Sequence, residues 1–172
     1  MREKIKLDLG CGECKKKGFI GIDSSKLKGV DVVCNLEKNF PFKDNSIDEI
    51  YSNHTIEHFD NLINVFEEIC RVLKTNSIAT IIVPHHSNPL THSFMHKSYW
   101  SYYSLNFLEK GRERHYYTKA NFKILKKEIH ILGGDMFLKP LQWFINIFPN
   151  LYEAVLCPLI KATEIMFVLQ KN

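Results

Sequence analysis

The chain has 172 residues, 45% of them apolar and 24% charged, with 23 Lys and Arg against 19 Asp and Glu for a formal net charge of +4. That length fits one domain with a sizeable core, and the composition excludes a disordered chain. The charge excess is too mild to argue for a nucleic-acid binder, no apolar run is long enough for a membrane-spanning helix, and Met1-Arg2-Glu3-Lys4 does not read as a signal peptide.

Residues 5–9 alternate and end at Gly10, which predicts a strand entering a tight turn. Residues 19–22, ending at Asp23, predict a second strand, and residues 30–34 a third. Residues 47–52 predict a fourth, announced by the turn residues Lys43-Asp44-Asn45-Ser46. Leu62, Ile63, Phe66, Ile69, Cys70 and Leu73 recur at helical spacing, with Asp60 as the expected N-cap and Asn76 as the left-handed stop. Residues 78–83 form an apolar run closed by Pro84, the signature of a strand buried on both faces of a parallel sheet. Strand, helix and strand in that order imply a right-handed crossover.

Residues 84–117 are rich in histidine and aromatics, and so long a loop after a strand predicts a functional segment. Thr118 is expected to cap a short helix, and residues 124–132 to form a strand broken by Gly133-Gly134. Residues 136–160 predict two short helices split around Pro149, and residues 163–170 a last strand. No linker interrupts the chain. The expected fold is therefore α/β: a Rossmann-like three-layer sandwich with a mostly parallel sheet and an antiparallel last strand. It forms one domain over 1–172, with an acceptor-site insertion at 84–117 and an apolar helical insertion at 133–162.

The chemistry concentrates in residues 5–84. Gly10-Cys11-Gly12 lets a ligand approach the backbone, and Asp23 ends the next strand, where a carboxylate can take both hydroxyls of a ribose. A dinucleotide would need a third glycine and a helix N-terminus for its pyrophosphate. Residues 13–18 supply neither, which disfavours a nicotinamide oxidoreductase. A nucleoside without phosphate, such as S-adenosylmethionine (SAM), tolerates that loss.

The stretches Lys6-Leu-Asp-Leu-Gly-Cys-Gly12, Gly21-Ile-Asp23, Phe40-Pro-Phe to Ser52, His54-Thr-Ile-Glu-His58 and Glu68-Ile-Cys-Arg-Val-Leu-Lys74 together resemble the class I SAM-dependent methyltransferases. The likeness is to the short "type 11" group, whose segment after the glycine motif is truncated. It implies that Gly10, Cys11 and Gly12 pass under the methionine part of SAM, that Asp8 orients that turn and the amino group, and that Asp23 holds the ribose. It further implies that Asn35 and Leu36 flank the adenine and that Ser52, Asn53 and His54 close the site. The chain departs from the group at Asn35, where aspartate is usual, at Thr75-Asn76-Ser77 in place of Pro-Gly-Gly, and in lacking the first crossover helix.

Methyl transfer to a hydroxyl benefits from a base, a task that suits histidine. His96, in a His96-Lys-Ser-Tyr element resembling one in the group, is the first candidate, followed by His85 and His54. The expected acceptor is small and hydroxylated, a sugar or glycan precursor. The alternatives are a non-catalytic SAM-binding protein and an RNA methyltransferase.

Other features have plainer readings. Cys11-Gly-Glu-Cys14 lacks the long helix of a redox pair. The other cysteines are isolated, so no metal site is expected, and His58 is expected to be a packed histidine. All five cysteines are expected to be reduced and the compartment cytoplasmic. Lys15-Lys16-Lys17 reads as a solvated loop. The apolar face from Trp143 to Leu156 is expected to pack on the sheet with partial exposure. A homodimer contact or a peripheral membrane contact is the alternative.

Overall fold

In the computed structural model, described over residues 3–131 and 138–172, seven strands form one sheet in the order β3-β2-β1-β4-β5-β7-β6. The strands are β1 (Lys6–Leu9), β2 (Ile20–Asp23), β3 (Val32–Val33), β4 (Ile47–Asn53), β5 (Leu73–Pro84), β6 (Phe122–Ile131) and β7 (Ala162–Lys171). The first five pair in parallel, while β7 is antiparallel to both β5 and β6. This is the Rossmann-like sandwich expected from the sequence. The predicted end of the sixth strand, Leu132, and the Gly133-Gly134 break lie outside the described residues.

Parallel neighbours need crossovers, and here most of them are loops. Residues 10–19, 24–31 and 34–46 carry the chain from strand to strand without a helix. Only the connection from β4 to β5 holds a full one, α1 (Leu62–Val72). Its cap is Asn61, whose side chain accepts from the Asn64 amide, and not Asp60. Glu37 Oε1 accepts the Asp60 amide at 2.6 Å, so Asp60 is held as the entry to the helix. At the other end, the amides of Asn45 and Ser46 take the carbonyls of Arg71 and Val72, and the chain passes directly into β5. Asn76 is left-handed as expected, at φ +64°, but inside β5, in the stretch where the register with β4 shifts, and it does not end the helix.

α1 turns Val65, Phe66, Ile69 and Val72 onto the sheet, all at 0–1% exposure. Full burial of each such side chain contributes about 1.5–3 kcal/mol. Phe66 meets Trp100, which in turn meets Phe167 of β7. Trp100, Leu105 and Leu108 thus place part of the 84–117 segment in the core. Thr118 caps no helix. It ends the short 3₁₀ turn His115–Tyr117 and leads toward β6, its hydroxyl accepting the Ala120 amide and donating to Glu67.

β6 is an edge strand, and α2 (Lys139–Ile147) covers it. Asn146 exchanges hydrogen bonds with the Ile129 backbone, and Gln142 accepts from the Ile131 amide. Polar side chains here finish a ladder that would otherwise invite another chain. After Pro149 a helical turn (Pro149–Leu151) runs into a π-helical turn (Tyr152–Leu156), so the split at Pro149 is as expected. The apolar face of this region is more open than the sequence suggested. Ile145 and Tyr152 are buried, but Trp143 is 67% exposed and Leu159 81%. No helix among the described residues is long and apolar enough to cross a membrane.

Candidate active site

The turn after β1 is built around two left-handed glycines. Gly10 has φ +68° and Gly12 φ +51°, and the amides of Gly10 and Cys11 both point at the Ile22 carbonyl of β2. Gly10 is also sterically fixed. A Cβ there would fall 2.1 Å from Thr55 Cγ2, and Thr55 Oγ1 donates to the Gly10 carbonyl at 3.1 Å. Thr55 was not singled out from sequence, because its partner lies on another strand connection.

Asp23 ends β2 with one oxygen on the Gly12 amide (3.0 Å) and the other on the Ser25 amide (2.9 Å). A carboxylate has about four lone-pair sites. Two are spent holding the turn, which leaves acceptor capacity for a vicinal diol. Gly10, Asp23, Asn35, Leu36 and Thr55 line a cavity of about 260 Å³ together with Ser24, Glu37, His58 and Phe59. Four of the sequence-expected cofactor residues therefore share one cavity at the carboxyl edge of the sheet. Apolar Leu36 and Phe59 suit a flat base, and Asn35 is fixed by accepting the Glu37 amide. A larger hollow of about 680 Å³ lies between β6, β7 and α2, and none of the expected cofactor residues lines it.

The remaining expected residues stand around this cavity in different roles. Asp8 is 4% exposed and accepts the Lys16 amide at 2.7 Å, so it anchors the loop from behind. Burial raises its carboxyl above the usual range, partly offset by Lys16 and Lys15. Ser52 is fully buried and donates to the Leu9 carbonyl, which ties β4 to β1 and leaves its hydroxyl no access to a ligand. Asn53 ends β4, with its carbonyl accepting from Thr55. Cys11 is buried, and burial with the nearby Asp8 and Asp23 pushes its thiol up, the opposite of a redox nucleophile. The cysteines are free. The lysine run is only partly solvated: Lys15 pairs with Asp31, and Lys16 lies 3.6 Å from the Tyr51 ring centroid.

The three candidate bases separate clearly. His54 donates to Glu164 at 3.0 Å and has Glu57 at 3.5 Å. Glu164, then Glu57, raises it to about 9, so at neutral pH it is a cation with no lone pair to offer as a base. His85 is fully buried, with one ring nitrogen on Ser87 and the other on Glu153. It is a strut between β5 and the π-helical turn. His96 does not line the cavity itself, but its ring lies 4.8 Å from that of His58, which does.

Residues 7–81 match the family model of the methyltransferase domain. No curated protein sequence matches the chain. Among solved structures, a SAM-dependent methyltransferase from Archaeoglobus fulgidus is similar at 18% identity and a TM-score of 0.65, over 98% of this chain and 86% of that one. A SAM-dependent methyltransferase from Thermotoga maritima is similar at 17% identity and a TM-score of 0.62, over 100% and 84%. The geranyl diphosphate C-methyltransferase of Streptomyces coelicolor, solved with Mg²⁺, geranyl diphosphate and S-adenosyl-L-homocysteine, is similar at 13% identity and a TM-score of 0.62, over 98% and 71%.

Proposed function

We propose that the chain is a class I SAM-dependent methyltransferase and that it methylates a small hydroxylated acceptor, a sugar or glycan precursor, presented by residues 84–117. The observation that carries the cofactor half of this reading is the shared cavity, in which a carboxylate with free acceptor capacity stands beside a turn that excludes side chains.

When bound, SAM supplies a methyl group already activated on a sulfonium. The protein's own work is then positioning and exclusion of water. Asp23 would take the ribose hydroxyls, Leu36 and Phe59 would flank the base, and the Gly10-Cys11-Gly12 backbone would pass under the methionine portion. Asn35 would give the base a neutral contact in place of a charged one. His96 is the base we favour for an acceptor hydroxyl, because His54 is held cationic and His85 has no exposed face.

Saturating SAM should raise the melting temperature. A hundredfold excess over Kd stabilises by about 2.7 kcal/mol, roughly 5–10 °C for a domain of this size. S-adenosylhomocysteine should do the same and NAD should not. Asp23→Ala should lose most of the shift, and an unchanged shift in that variant would remove the ribose assignment. Transfer of a labelled methyl group from SAM into sugar or glycan fractions tests the acceptor. A thermal response to SAM with no transfer to any fraction would favour the non-catalytic alternative.

A further inference from the structure

The short 3₁₀ turn after β4, Ile56–His58, carries a carboxylate in an unusual state. Glu57 is fully buried, and neither of its oxygens accepts a hydrogen bond among the described residues. Its nearest charge, the His54 ring, stands at 3.5 Å without hydrogen-bond geometry. Buried carboxylates usually accept several hydrogen bonds. Glu57 has the His54 cation as a counter-charge but no hydrogen bond, so both its oxygens keep acceptor capacity for a further partner.

Two histidines from different parts of the chain stand beside it. His58 follows in the same turn, and His96 arrives from the 84–117 segment. His58 Nδ1 is 3.0 Å from the Met95 carbonyl, and His96 Nδ1 is 3.2 Å from the Thr91 carbonyl. A carbonyl oxygen only accepts, so each ring carries its proton on Nδ1 and keeps the lone pair on Nε2. A backbone carbonyl behind Nδ1 is the arrangement that orients metal-binding imidazoles. A carboxylate oxygen of Glu57 and one ring nitrogen of each histidine lie within 4.8 Å of one another.

We propose that Glu57, His58 and His96 hold a divalent transition-metal ion in the wall between the cofactor cavity and residues 84–117. Two neutral imidazoles and one carboxylate suit zinc, manganese or iron(II), whereas magnesium and calcium prefer sites built from oxygen. Three protein donors leave positions open, as in sites that bind substrate. His58 also lines the cofactor cavity, so the ion would lie next to it.

A second group of the same composition makes the contrast. His85, His86 and Glu153 also gather within reach of one ion. There the carboxylate already accepts from His85, His86 and the Tyr102 amide, so nothing is missing.

Taken with the methyltransferase reading, on which this step rests, the ion would bind the acceptor hydroxyl. The O–H proton passes to water, the oxygen forms a bond to the methyl carbon, and the sulfur keeps the electron pair of the broken C–S bond. His96 would then act as a ligand in place of a free base.

The chelator-treated full chain should bind one equivalent of Zn²⁺ by calorimetry, and Co²⁺ should give visible absorption bands. Glu57→Gln and His96→Ala should each weaken Zn²⁺ binding roughly a hundredfold or more, while His86→Ala should bind as the parent does. A cooperative thermal transition and parental circular dichroism of metal-free Glu57→Gln show that this variant is folded. Failure of the parent to bind Zn²⁺ or Co²⁺, or parent-like binding by both ligand variants, overturns the site. So does loss of binding in His86→Ala alone. Metal binding is read without SAM, so a parent that binds Zn²⁺ but shows no response to SAM supports the site while sinking the cofactor reading.

Discussion

Gly10→Ala should destabilise the fold by roughly 2–5 kcal/mol and remove the thermal response to SAM. Two separate costs add at this position. The φ of +68° is a conformation that charges an L-residue with a Cβ about 1–2 kcal/mol. The added Cβ would also stand 2.1 Å from Thr55 Cγ2, 2.2 Å from Oγ1 and 2.6 Å from Cβ. Thr55 cannot simply swing aside, because its hydroxyl holds the Gly10 and Asn53 carbonyls and its Cβ moves only with the backbone. Any relief displaces the turn that lines the cofactor cavity. Denaturant midpoints measure the first effect and the SAM shift the second. Gly10→Ala/Thr55→Gly should recover the steric share and keep the backbone share. Gly12→Ala, with nothing within 4 Å of its Cβ, should show only strain. A Gly10→Ala chain with parental stability and an intact SAM shift would refute the account.

Glu153→Gln should cost roughly 2–4 kcal/mol near neutrality and flatten the acid limb of the stability curve. The Glu153 side chain is 8% exposed, and burial alone would raise its pKa. Hydrogen bonds from His85, the Tyr102 amide and His86 outweigh burial and hold it at about 2, against 4.5 for an unfolded glutamate. A folded value below the unfolded one means that the stabilisation is fully present above about pH 4.5. It is lost as pH falls from there toward 2, and the linkage is worth on the order of 3 kcal/mol. Urea midpoints at pH 6 and pH 3 check this. The parent should lose much more than the variant, and equal losses would show that the carboxylate is not held as described. A glutamine can keep His85 and the Tyr102 amide on its one oxygen, but its amide group then faces His86 Nε2, which loses its acceptor, and the charge that strengthened all three bonds is gone. The consequence reaches the candidate site, because this knot joins the end of β5 to the π-helical turn and to Tyr102.

The strands, α1 and the glycine turn were legible because each is written in local pattern. The apolar run after Ser77 could only be a buried strand. Residues 13–18 were too few for a helix, and the structure has a loop there. The choice of Asn61 over Asp60 as cap turned on Glu37, which no local rule reaches. Thr118 carried a helix-start signal that Glu67 and the Ala120 amide used for another purpose. The residues that sort the histidines into cation, strut and cavity neighbour were invisible for the same reason. Glu153 meets His85 across 68 residues, and Glu164 meets His54 across 110. Such pairs have no spacing to read, because only the folded sheet brings them together.

The missing crossover helices have an energetic consequence for the ligand. The flank of the sheet formed by β2 and β3 is thinly clothed: β3 has two residues, and Val33 is 53% exposed. Such a flank unzips at lower free energy than β5 and β7, which lie in the interior of the sheet. Whatever occupies the notch beside Asp23 must therefore act as a fastening for that border as well as a cargo. Part of its binding energy goes into quieting fluctuations, and affinity falls by that amount.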